Sequence, residues 1–124
     1  MESISVIYIV NATLLLLHEI ESAYEKEWEI LRLPGRISGF LLLHIPIIVV
    51  ILLGLIKIEK LSAMGLLLGV ILGIGGIVPF LVHKLFARRS GRFNLLISNL
   101  IIYANVPAGV LLVIVSCRLL LYPS

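Results

Sequence analysis

The hydrophobic and polar positions of this chain fall into four long apolar blocks separated by short charged segments. The first block covers residues 4–20, and a stretch in which Glu and Lys alternate then carries its helix on to about residue 31. Leu33-Pro34-Gly35 stops that helix, because proline and glycine in succession break helical pairing. Further blocks run over residues 37–56, 61–86 and 93–121. Lys57-Ile58-Glu59-Lys60 and Arg88-Arg89-Ser90-Gly91-Arg92 form the polar turns between them. Runs of about 20 apolar residues are what a bilayer-crossing helix needs. The pattern therefore predicts an all-α, polytopic transmembrane four-helix bundle that is one domain over residues 1–124.

Composition strengthens this reading. The chain is 60% hydrophobic and only 14% charged, whereas soluble domains carry about a quarter charged residues. Only Glu2 is charged in the first five residues, and no small-residue cleavage site follows the first block, so that block reads as a retained span. Pro46, Pro79 and Pro107 lie inside spans, where bilayers tolerate them.

Charge sets an orientation. Lys26, Arg32, Arg36, Lys84, Arg88, Arg89 and Arg92 flank one side, against Lys57, Lys60 and Arg118 on the other. The positive-inside rule places the first set in the cytoplasm and both termini outside, in the cell membrane. The net charge of +3 reflects loop placement, and no long basic run suggests nucleic-acid binding. The single cysteine, Cys117, reads as a packing residue and leaves the redox compartment open.

Small residues Ser62, Gly65, Gly69, Gly73 and Gly76 recur at steps of three and four, the pattern that lets helix backbones approach in lipid. The stripe predicts a helix–helix seam, either within the chain or through Gly65, Gly69 and Gly73 between subunits of a homo-oligomer. On the fourth span Asn94, Ser98, Asn105, Gly109 and Ser116 share a face. Asn94 also reads as a helix cap, and Asn105 with Pro107 as a kink.

Ionisable side chains inside spans face the bundle interior or a wet cavity and mark functional sites. His18, His44 and His83 each lie in a different span. His44 is about 10 Å into the second span and His83 about 7 Å short of the Arg88 loop, at 1.5 Å per residue. Alternating spans thus bring His18, His44, His83 and Asn94 into the cytoplasmic third. On the first helix His18, Glu21 and Glu25 share a face that Asn11 extends. Imidazole and carboxylate at this density suit a divalent metal, zinc before iron, with His18, Glu21, His44 and His83 as ligands. Glu19 or Glu25 would then serve as second-shell partner or general base, and Asn94, Ser98 and Asn11 complete a polar site. Plainer readings stand beside this one. Glu27 and Glu29 read as solvated, and His44 as a donor to the Leu42 carbonyl that Pro46 leaves unpaired.

Leu17-His18-Glu19-Ile20-Glu21, then Glu27-Trp28, Pro34-Gly35 and His44-Ile45-Pro46, resemble small uncharacterised bacterial membrane proteins of the HXXEE type. Glu21 matches the first acid of that pattern, and Ser22 stands where the second would be. The resemblance implies a site around His18 and Glu21 with Glu19 and Glu27, and no known reaction.

Three functions compete. One is a metal-dependent membrane hydrolase of a lipid or amphiphile. Another is a small dimeric transporter or channel using His and Glu as proton or cation sites. The third is a haem-binding bundle or an accessory subunit, with membrane lipids as surroundings throughout.

Overall fold

The computed structural model describes residues 1–85 and 95–123. Among the described residues the chain forms five helices and no strand: α1 (Ser3–Tyr24), α2 (Glu27–Ile30), α3 (Arg36–Glu59), α4 (Ala63–Leu85) and α5 (Leu96–Leu121). The four long helices have the length and apolarity to cross a membrane. At 1.5 Å per residue, helices of 22 to 26 residues exceed the roughly 30 Å hydrocarbon core. The chain is thus an all-α bundle and a multi-pass integral membrane protein.

The small-residue stripe packs α4 inside the chain. A Cβ added at Gly73 would stand 2.6 Å from the Gly109 carbonyl oxygen, and one at Gly69 the same distance from Ser116 Oγ. Only glycine allows these approaches of α4 to α5. Gly76 carries the stripe on to α1 and α5, since a Cβ there would meet the carboxamides of Asn11 and Asn105 at 2.6 and 2.8 Å. The seam therefore serves packing within the chain.

α1 buries Ile4, Ser5, Tyr8, Asn11, Ala12, Leu15, His18 and Ser22, a stripe at helical spacing that faces the other three long helices. α3 is the most lipid-exposed helix, with 17% of its most apolar stretch buried against 39% for α1 and for α4. It is tied in by Tyr8, whose hydroxyl donates to the Ile51 carbonyl at 2.7 Å. Proline residues at 46, 79 and 107 stand within α3, α4 and α5.

The helical extension to residue 31 is not continuous. α1 ends at Tyr24, Lys26 adopts a left-handed backbone with φ of 55°, and the short α2 starts at Glu27. That one reversed residue turns Glu27 and Trp28 back onto the bundle, where both are buried. The gain is apolar burial: Trp28 packs on Phe40 of α3 with ring centroids 5.7 Å apart. Leu33-Pro34-Gly35 then separates α2 from α3, with Gly35 at φ of 91°, a conformation open to glycine without strain.

A candidate metal centre beside a His–Glu pair

At the α2 end of the bundle, α1, α2 and α4 each contribute one ligand-type side chain: His18, Glu27 and His83. One donor atom from each lies within 4.8 Å of the others. The two imidazole rings meet edge to face with centroids 4.9 Å apart, and His18 Nε2 is 3.7 Å from Glu27 Oε2. Donors around a tetrahedral zinc ion are about 3.3 Å apart, from bonds of about 2.0–2.1 Å. A small inward movement of side chains would close the site. His18 is 3% exposed and Glu27 7%, so these polar groups are withdrawn from solvent, a position that demands a partner.

Ser22, one turn after His18, places its hydroxyl 3.2 Å from His18 Nε2 and is fully buried. Its hydroxyl also acts on the Glu27 carboxyl. Burial raises the Glu27 carboxyl above the usual carboxylate range, while this hydroxyl pulls the other way.

His44 does not join this cluster. Its Nδ1 lies 2.7 Å from the Phe40 carbonyl oxygen, one turn back on its own helix, and not at Leu42. Its Nε2 stands 2.6 Å from Oε2 of Glu19, and its ring stacks on Phe40 at 4.0 Å. Glu21 turns the other way, towards α5, where it accepts a hydrogen bond from the buried hydroxyl of Ser98. Its other oxygen, Oε1, is buried and has no hydrogen-bond partner among the described residues. Asn11 sits deeper, donating to the Leu72 carbonyl at 3.2 Å, with its own oxygen buried. Glu25 caps the C-terminal end of α1 and is half-buried. Asn94 lies outside the described residues, as do Arg88, Arg89 and Arg92.

The structure thus gathers His18 and His83, pairs His44 with Glu19, pairs Glu21 with Ser98, and adds Glu27 in a ligand position. Reading Glu27 as solvated is overturned by its burial, and the cause is the left-handed turn at Lys26. The signal that could have found it is the Glu27-Trp28 dipeptide, because a large aromatic side chain seldom faces water beside a membrane helix end.

His18 and Glu27 of the cluster and the Glu19–His44 pair line one cavity of about 320 Å³, whose other walls include Leu15, Val78 and further apolar side chains.

Comparison with known proteins adds a family. A family model described as a family of unknown function (DUF6713) matches residues 4–119. No curated protein and no solved structure matches the chain.

Proposed function

From a chain that belongs to the DUF6713 family, whose function is unknown, we propose a divalent-metal site that serves a membrane-embedded hydrolase acting on a lipid or amphiphile. The observation that carries the reading is the convergence of His18, Glu27 and His83, from three separate helices, to within 4.8 Å. Two imidazoles, one carboxylate and an open fourth position form a known catalytic zinc set. Zinc in such a site lowers the pKa of bound water towards about 7 and polarises a carbonyl oxygen. This set differs from the ligands predicted along the sequence by exchanging Glu21 and His44 for Glu27.

The residues around the set have complementary work. Ser22 holds the His18 ring nitrogen that faces Glu27 until a metal would take its place. Glu19, on the cavity wall and hydrogen-bonded to His44, accepts the proton of an attacking water as a carboxylate, with the proton the pair already shares resting on the His44 ring. Ester cleavage would then form one bond from water oxygen to the acyl carbon and break the acyl–oxygen bond. The alkoxide leaves with the proton passed through the Glu19–His44 pair. The predominance of basic residues around the polar end supports a cytoplasmic position for it in the cell membrane, with both termini outside, as part of the same proposal.

The test is elemental analysis of the purified protein in detergent. About one zinc per chain, lost in His18→Ala and His83→Ala, supports the site; no metal after re-addition of zinc removes it.

A second reading, transport of protons or cations, draws on a different observation. Asn11 and Asn105 are buried deep in the bundle on α1 and α5, and among the described residues the carboxamide of Asn105 has no hydrogen-bond partner. Unsatisfied polar groups at that depth are costly in lipid and mark polar pathways. Zinc or proton flux into vesicles containing the protein, abolished by Asn105→Leu, would favour transport over hydrolysis. The third reading has weaker support, since His18 and His83 are in ring contact and leave no room for a haem plane between them.

A further inference from the structure

We infer that the molecule taken by this site is a single-chain amphiphile, such as a monoacyl ester, with its chain held in a slot between α1, α3 and α4. The inference rests on the hydrolase reading for the chemistry at the head of the slot, and on separate observations for the chain.

The cavity at the His–Glu groups has a neighbour. A second cavity, of about 330 Å³, lies between the same three helices, and the two share Leu15, Ile47, Ile51 and Gly75 as walls. The first is lined by later positions of α1 and α4 and earlier positions of α3, such as Glu19, Val82 and His44. The second reaches Tyr8, Leu68 and Val50. Because α1 and α4 run opposite to α3, these positions place the cavities end to end, as one file. Each volume sits at the low end of the roughly 300–1,000 Å³ typical of ligand pockets, and together they fall inside that range.

The polarity of the slot is graded. Four ionisable side chains, His18, Glu19, Glu27 and His44, stand at its head, and apolar side chains line the deep half apart from Tyr8. Tyr8 turns its hydroxyl onto the Ile51 carbonyl and so closes the floor without presenting a free polar group. Water gains nothing in such an apolar tube, whereas a hydrocarbon chain does. Its length decides the occupant. From Glu19 to Tyr8 is eleven residues of helix, about 16 Å, which matches one leaflet of a hydrocarbon core of about 30 Å. A chain standing in the slot therefore keeps the depth and direction of a membrane lipid, with its acyl carbon at the level of Glu19 and His44. α3, the outer wall, is bathed in lipid along most of its surface, so the candidate occupant is already the surrounding solvent.

Trp28 offers the test. It is the chain's one tryptophan, it is buried, and it lines the head of the slot. The protein is placed in phosphatidylcholine vesicles and titrated with stearic acid bearing a nitroxide near its carboxyl end, which quenches tryptophan on contact. The expected result is saturable quenching at low probe fraction, reversed by unlabelled palmitic acid. Gly75→Leu and Ile47→Phe plug the shared walls from opposite helices. Each should weaken the saturable component about tenfold or more while circular dichroism shows unchanged helix. Quenching that rises linearly with probe and is the same in all three proteins would mean bulk-lipid contact only and overturns the slot. Unimpaired saturable quenching in both plugged variants overturns it as well. Saturable quenching lost on plugging, in protein that binds no zinc, upholds the slot and removes the metal site, so the two readings fail separately.

Discussion

Glu19 and His44 hold one proton between them. The Phe40 oxygen can only accept, so His44 Nδ1 is the donor in the 2.7 Å contact with it. The remaining ring nitrogen and the Glu19 carboxyl oxygen are 2.6 Å apart, a separation that two lone pairs cannot share without a hydrogen. Either the carboxyl is protonated or the imidazole is charged, and moving that proton is the acid–base step the pair can perform.

Replacing Glu19 by Gln keeps a donor for the ring nitrogen and removes the proton acceptor. Glu19→Gln should keep zinc and helix content and lower ester hydrolysis by about 10²–10⁴-fold, the usual contribution of a positioned base. Glu19→Leu should also destabilise by about 1–3 kcal/mol, because the His44 nitrogen loses its partner. Hydrolysis of a chromogenic long-chain ester, with detergent denaturation alongside, separates the two. Wild-type turnover in Glu19→Gln would remove Glu19 from the chemistry.

His18, Glu27 and His83 should behave as one unit in metal binding, and His44 should not belong to it. Zinc at about 100 times its dissociation constant should stabilise the wild-type protein by about 2.7 kcal/mol. The stabilisation should vanish in His18→Ala, Glu27→Gln and His83→Ala and persist in His44→Ala. Thermal denaturation with and without added zinc reads this directly, and loss in His44→Ala would shift the centre towards α3.

The buried Glu27 carboxyl makes the metal-free protein sensitive to pH. Its pKa is raised in the fold by burial, so the protonated form is favoured there. The resulting stability is complete below the ordinary carboxylate range and is lost as pH rises through the raised folded value. Zinc reverses the trend, because it needs the ionised carboxylate and releases the proton on binding. Metal-free wild type should therefore weaken as pH rises from the acid side towards neutrality, and Glu27→Gln should flatten the profile. Detergent denaturation across that range is the measurement, and parallel profiles would contradict it.

Two glycines two residues apart should tolerate alanine differently. A Cβ at Gly73 would press on the Gly109 carbonyl oxygen at 2.6 Å, while one at Gly75 meets only Leu15 Cδ2 at 3.8 Å. Gly73→Ala should cost about 1–3 kcal/mol through overpacking of the α4–α5 seam. Gly75→Ala should be neutral or slightly stabilising, since alanine is favoured over glycine in helices by about 1 kcal/mol. Equal effects in the same denaturation assay would mean that the seam is looser than the backbone approach indicates.

Orientation is testable at the C-terminal end. Tyr122 is 76% exposed just beyond α5. In a Cys117→Ser background, Tyr122→Cys should react with a membrane-impermeant maleimide applied to intact cells. Labelling only after lysis would invert the assignment.

The sequence by itself determined the four spans, their short connections and the shared level of His18, His44 and His83. Those features follow from hydropathy and helix rise, which depend on residue type and spacing alone. The small-residue stripe announced a close seam in the same way, because only missing side chains permit it. Tertiary structure decided which way each polar group turns. His44 and His18 share a depth, yet rotation of α3 about its axis gives His44 to Glu19 and leaves His18 with His83. Glu21 was legible as a ligand candidate on the His18 face, but the position of α5 made Ser98 its partner. Glu27 read as solvated from its charged neighbours, and only the resemblance set it near the site. Its place depends on one left-handed residue, Lys26, and on the burial of Trp28 that this turn makes possible. A single backbone dihedral redirects everything after it while leaving no trace in periodicity, so the contact of Glu27 with His18 and His83 was decided only in the folded chain.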